Sequence, residues 1–193
     1  MSNAWATYLH DRATCFVAME VEATKQGFDI TVAHEAAHAF HSRRTAIDLD
    51  TTVVGAGLFL EGVAVFASGV AVPGASEAGL LWFDWERTPQ GQPCAAWVAE
   101  CERQWPILRR RLLEDLDAMD EARFAGYFYA NEARRLDGVP MRAGYFVGYR
   151  IVSLLSRRYA IADMAGWPMG RAVWEVRGAL EQARECPIGD RPV

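Results

Sequence analysis

Two histidines four residues apart, with a glutamate directly after the first, stand in the segment Val32-Ala33-His34-Glu35-Ala36-Ala37-His38-Ala39-Phe40. On a helix, four steps of about 100° bring His38 to within about 40° of His34, one turn along the axis. Both imidazoles then face one side and can grip one metal ion, while Glu35 points to a neighbouring direction where it can act on a bound water. That is the chemistry of metal-assisted hydrolysis. The plainer alternative is two histidines of an amphipathic helix beside a solvated glutamate.

A hydrolytic site of this kind takes three protein ligands and keeps one position open. His41 shares roughly the same face, but its backbone is about 10 Å from that of His34 on a continuous helix. No glycine follows His38 to break the helix, so His41 reads as a supporting or surface residue. His10 lies in a segment with no supporting pattern. Glu61 is the better third ligand, 23 residues beyond His38 and central in an apolar run over residues 53–72. A carboxylate buried there needs a cation or donors, since an unpaired buried charge costs several kcal/mol. A metal ion answers that need; a salt bridge to an arginine is the alternative. Gly57, Gly62 and Ala64 are small enough to let the two helices approach.

Positioning these groups requires helices. Residues 15–23 partly alternate apolar and polar, as an edge strand does. Asp29 is a suitable N-cap for a helix reaching residue 44, where Arg43 and Arg44 meet the negative end of the dipole. The run 53–72 is long enough to span a membrane. Its four glycines, its central Glu61 and the lack of flanking Trp, Tyr, Lys or Arg anchors argue instead for a buried core helix. Further helices are expected over residues 94–104, 106–119, 121–136, 143–159 and 169–184, with breaks at Pro140 and Trp167-Pro168. The expected architecture is a single, mainly α-helical domain over residues 1–193 with at most a small N-terminal β element.

The 193 residues suit one such domain, and the 51% hydrophobic and 23% charged content is that of a soluble globular chain. Twenty Lys+Arg against 25 Asp+Glu give a formal charge of -5, which argues against nucleic acid or an anionic membrane as main partner. Lys25 is the single lysine, and the Ala, Gly and Arg content reads as the codon bias of a GC-rich bacterial genome. Cys15, Cys94, Cys101 and Cys186 form no C-x-x-C pair, which suits a reducing compartment. No basic stretch precedes an apolar run at the N-terminus, so a cytoplasmic location is expected for the chain as written, although Ser2-Asn3-Ala4 resembles a cloning remnant.

The blocks His34-Glu35-Ala36-Ala37-His38, Leu60-Glu61-Gly62-Val63-Ala64 and Ala143-Gly144-Tyr145-Phe146-Val147-Gly148-Tyr149-Arg150-Ile151-Val152, in this order, resemble a family of predicted bacterial zinc-dependent proteases of gluzincin type. The resemblance spans roughly residues 28–180 and includes Val139-Pro140. Ala37 departs from it, since bulkier residues are frequent there. The resemblance implies a mostly helical metallopeptidase with His34, His38 and Glu61 as zinc ligands, Glu35 as general base and a peptide or protein as substrate. Tyr145 and Tyr149, four apart on an expected helix, share a face, and either phenol could donate to the oxyanion of the intermediate. Packing is the alternative role for both. Arg142 and Arg150 are potential contacts for a substrate carboxylate, with ordinary surface arginines as the default. Trp82, Phe83 and Trp85 read as a core cluster ahead of a cleft roof, and Asp48 and Asp50 as loop residues or as supports for a ligand histidine. The rival function is a non-enzymatic, metal-stabilised binding or regulatory module, against which the retained Glu35 argues, since a structural ion needs no base.

Overall fold

Two short strands open the chain, β1 (Ala4–Leu9) and β2 (Arg12–Val17), paired antiparallel from Ala4 with Val17 to Leu9 with Arg12. The computed structural model describes residues 4–9, 12–17, 24–45 and 51–187. The expected strand at 15–23 thus overlaps β2 only over its first three residues, and residues 18–23 lie outside the described residues. The thiol of Cys15 in β2 donates to the carbonyl oxygen of Glu35 at 3.3 Å, which seats the hairpin on the first helix.

That helix, α1 (Lys25–Arg44), begins five residues earlier than expected. Thr24 is the N-cap, its hydroxyl accepting from the Gly27 amide at 2.9 Å, while Asp29 pairs with Lys25 one turn inside. Thr24 supplies the same capping oxygen that Asp29 offers, and it comes first along the chain. At the other end the Thr45 amide donates to the carbonyl of His41, and its hydroxyl reaches the carbonyl of Trp167 at 2.8 Å.

Helix α2 (Val54–Ala71) is the apolar run. It is long and apolar enough to cross a membrane, but 78% of it is buried within the protein, which is the position of a core helix. It has no side-chain cap. The amides of Val54 and Gly55 donate instead to the carbonyls of Ala118 and Leu116, at 3.1 and 2.9 Å. Contacts between α1 and α2 run in opposite order along the two chains: His41 meets Phe59, His34 meets Glu61, and Ser68 reaches the carbonyl of Ile30. The two helices are therefore antiparallel.

The remaining helices are α3 (Glu77–Trp82), α4 (Cys94–Arg103), α5 (Trp105–Asp115), α6 (Glu121–Phe128), α7 (Ala143–Ser156), α8 (Ile161–Met164) and α9 (Met169–Gln182). Helix α5 stops short of the expected residue 119, where the carbonyls of Leu116 and Ala118 turn to serve α2. The helix expected over 121–136 breaks after Phe128. Asn131 caps a short 3-10 turn (Glu132–Arg134), and Leu136 folds back on Gly126. A straight helix would hold those two residues about 15 Å apart.

Helix α7 crosses α2 at a pair of glycines. A Cβ on Gly62 would collide with the carbonyl oxygen of Gly148, and one on Gly148 with that of Leu58. Buried aromatic residues fill the surrounding core, with Trp82 edge-on to Trp97 and Trp97 edge-on to Phe146. Arg150 on α7 is buried and paired with Glu77 of α3 at 2.7 Å and Glu102 of α4 at 2.6 Å. Surface exposure, the sequence default for this residue, is thereby corrected: two carboxylates and the Pro187 carbonyl take up its donors.

Gly148→Ala is expected to lower stability by about 1–3 kcal/mol through overpacking between α2 and α7. Gly178→Ala on α9 has nothing within 4 Å of the added carbon, and is expected to raise stability by up to about 1 kcal/mol. Urea unfolding midpoints of the two variants, measured beside the unsubstituted protein, check both signs.

Candidate metal centre

His34 and His38 face the same side of α1, as their spacing requires, and Glu61 meets them from α2. One donor atom from each lies within 4.8 Å of the other two. The Nε2 atoms of His34 and His38 are 3.1 Å apart, and Oε2 of Glu61 is 3.1 Å from the first and 3.5 Å from the second. A hydrogen bond uses one lone pair at a time, so two imidazole nitrogens and a carboxylate directed at one point leave acceptors competing for few protons. A divalent cation accepts all three, and two nitrogens with one carboxylate oxygen are a donor set suited to zinc. The residues present fit such an ion.

Aromatic rings hold the ligands from the side. The His34 ring meets Phe83 edge-on at 5.3 Å and stacks on Tyr145 at 6.1 Å. Its Nδ1 is buried with no hydrogen-bond partner among the described residues, so ring packing rather than a carboxylate orients it. The buried Tyr145 phenol lies within reach of the Glu61 charge.

A family model described as "Predicted Zn-dependent protease (DUF2268)" matches residues 7–165. The chain belongs to this family. Neither a curated protein nor a solved structure matches it. The matched span of this predicted zinc-dependent protease family takes in His34, His38 and Glu61, and also Glu35, Tyr145 and Tyr149.

Electrostatics set the protonation of the cluster. Burial penalises a charge on Glu61, but the two imidazoles beside it more than offset that cost and hold its carboxyl below the usual range. Burial drives His34 toward its neutral form, whereas the Glu61 carboxylate overcomes burial at His38 and raises it. Glu35 is buried on the neighbouring direction of α1 and is pushed up to about 7, by burial first and then by the charge of Glu61. Burial also raises the Tyr145 phenol, with the Glu61 charge adding to it, so this hydroxyl stays a donor across the neutral range.

The other sequence candidates divide. Tyr149 lies one turn beyond Tyr145 and is buried in the core. Trp82 is buried as expected, but Phe83 reaches the centre, which corrects its reading as core alone. Arg142, by default a surface residue, is buried over the rings of Trp82, Phe83 and Tyr145. The sequence offers Phe83 as part of a possible cleft roof and Arg142 as a potential carboxylate contact, but not their place at the centre, because both occupy left-handed backbone (φ 53° and 59°) that non-glycine residues seldom adopt. His10, Asp48 and Asp50 lie outside the described residues.

His41 is buried rather than exposed, packed edge-on against Phe59 at 5.6 Å, with neither ring nitrogen hydrogen-bonded among the described residues. Burial, then the charge of His38, pushes it down to about 4 from an ordinary 6.5. The unfolded chain therefore takes up this proton first as pH falls. Stability from the neutral ring is intact above pH 6.5 and is lost toward pH 4, by about 3 kcal/mol. Replacing it, as in His41→Leu, is expected to raise stability relative to the unsubstituted protein increasingly as pH falls through that window, with zinc content unchanged. Urea unfolding at two pH values, with elemental analysis, checks this.

Proposed function

We propose that the chain is a zinc-dependent peptidase of gluzincin type, with His34, His38 and Glu61 as ligands and a peptide or protein as substrate. The convergence of those three donor groups, with a buried carboxyl beside them on α1, is the observation that carries this reading. Zinc held there supplies Lewis acidity, which polarises a scissile carbonyl and makes a water more acidic. Glu35 takes the proton of the attacking water on its carboxylate and delivers it to the leaving amine nitrogen. A carboxyl pushed up to about 7 is matched to both transfers near neutral pH. Tyr145 donates its O–H to the oxyanion of the tetrahedral intermediate, and its contacts with Glu61 and His34 favour it over Tyr149 for this part. A non-enzymatic module would gain nothing from Glu35.

Elemental analysis and hydrolysis of a mixed peptide library test the reading together. About one zinc per chain is expected in the unsubstituted protein and in Glu35→Gln, and a large loss in Glu61→Ala. Glu35→Gln is expected to lower kcat by about 10²–10⁴-fold with zinc retained, and Tyr145→Phe by about 10²-fold. Full zinc in Glu61→Ala would remove Glu61 from the ligand set. A zinc-loaded protein that cleaves nothing in the library would point to the binding module.

A further inference from the structure

Arg142 carries a charge that the described residues leave unmatched. The residue is 8% exposed, and its guanidinium carbon lies 4.7 Å from the Trp82 ring centre, 5.2 Å from that of Phe83 and 4.1 Å from that of Tyr145. Aromatic faces stabilise a cation but offer no acceptor for five N–H donors. Arg150, two turns along the same helix, shows the ordinary solution to burial: two carboxylates and a carbonyl. Among the described residues no carboxylate plays that part for Arg142.

The position is specific. Phe83 and Tyr145 each touch both Arg142 and His34, so the guanidinium stands one ring away from a ligand of the candidate centre. Phe83 and Arg142 are also two of the three non-glycine residues in left-handed backbone among the described residues, the third being Asp84 beside Phe83. Such backbone collects where the surrounding structure holds side chains in a functional arrangement.

We infer that Arg142 is a specificity-determining residue that binds a carboxylate of the substrate beside the scissile bond, an inference that rests on the peptidase reading above. The planar fork of a guanidinium matches a carboxylate with two parallel hydrogen bonds. The carboxylate is either the C-terminus of a peptide, which makes the chain a carboxypeptidase, or an acidic side chain, which directs internal cleavage.

Peptide affinity separates these cases, measured by calorimetry on the Glu35→Gln protein with and without added zinc. Three kinds of ligand built on one neutral hexapeptide sequence are compared: the free acid, the C-terminal amide, and the amide carrying glutamate at each position in turn. Either the free acid or a glutamate peptide is expected to bind about 10–100-fold tighter than the neutral amide. The first outcome assigns the carboxylate to the chain end, the second to a side chain. Arg142→Met is expected to level the ratio, and Arg142→Lys, which keeps the charge without the fork, to retain part of it. Equal affinity for all peptides, no binding at millimolar concentration, or a preference that survives Arg142→Met overturns the assignment. An Arg142-dependent preference in a protein that takes up no zinc and cleaves nothing would instead sink the peptidase reading and leave the anion site standing.

Discussion

The carbonyl oxygen of Gly148 occupies the space in which any side chain on residue 62 would have to stand. This backbone-to-backbone contact fixes how closely α7 lies on α2, and the centre depends on that separation. Glu61 is the neighbour of Gly62, and Tyr145 precedes Gly148 by three residues, so the phenol stands near the carboxylate only while the two helices touch. On its other side α2 receives α1, through Ser68 on the Ile30 carbonyl and His41 on Phe59. Three helices thus bring one group each to a common point: an imidazole pair, a carboxylate and a phenol. A close-packed interior transmits displacements rather than absorbing them, which makes such spacing hard to vary piecemeal.

Burial then gives the assembled groups their different characters. The same low-dielectric surroundings that push Glu35 up to about 7 leave Glu61 ionised, because only Glu61 has imidazoles in contact. Two carboxyl groups on adjoining helices are separated in proton affinity by what touches them. The aromatic wall of Phe83 and Tyr145 flanks the remaining groups, orienting neutral His34 where, among the described residues, no acceptor meets its second nitrogen and covering the guanidinium of Arg142.

Much of this is legible in the amino-acid order. The i, i+4 spacing of His34 and His38 states a shared face once a helix is granted, and Glu61 stands out because a lone carboxylate inside a largely apolar run of twenty residues must have a cationic partner or donors. Both are arguments from local geometry and the cost of burying charge. Helix α6 was harder, since its break depends on Leu136 returning to Gly126, a contact between residues ten apart. The start of α1 turned on which of two capping residues, Thr24 or Asp29, the chain reaches first. Arg142 and Phe83 were legible only as weaker alternatives, a carboxylate contact and a cleft roof: a charged residue in an Arg-rich chain reads as surface, and left-handed backbone at a non-glycine residue is imposed by tertiary packing.

The first turn of α2 is completed from elsewhere in the chain. Its leading amides find their acceptors at Leu116 and Ala118, more than sixty residues later, and leaving such buried donors unpaired costs about 1–3 kcal/mol each. The helix that carries Glu61 is therefore finished only when the end of α5 has arrived. During synthesis the ligand pair on α1 emerges well before its third member can be locked in place. A fragment that ends before α5 therefore leaves the helix carrying Glu61 with its first amides unpaired, and the centre is complete only in a chain that includes that later segment.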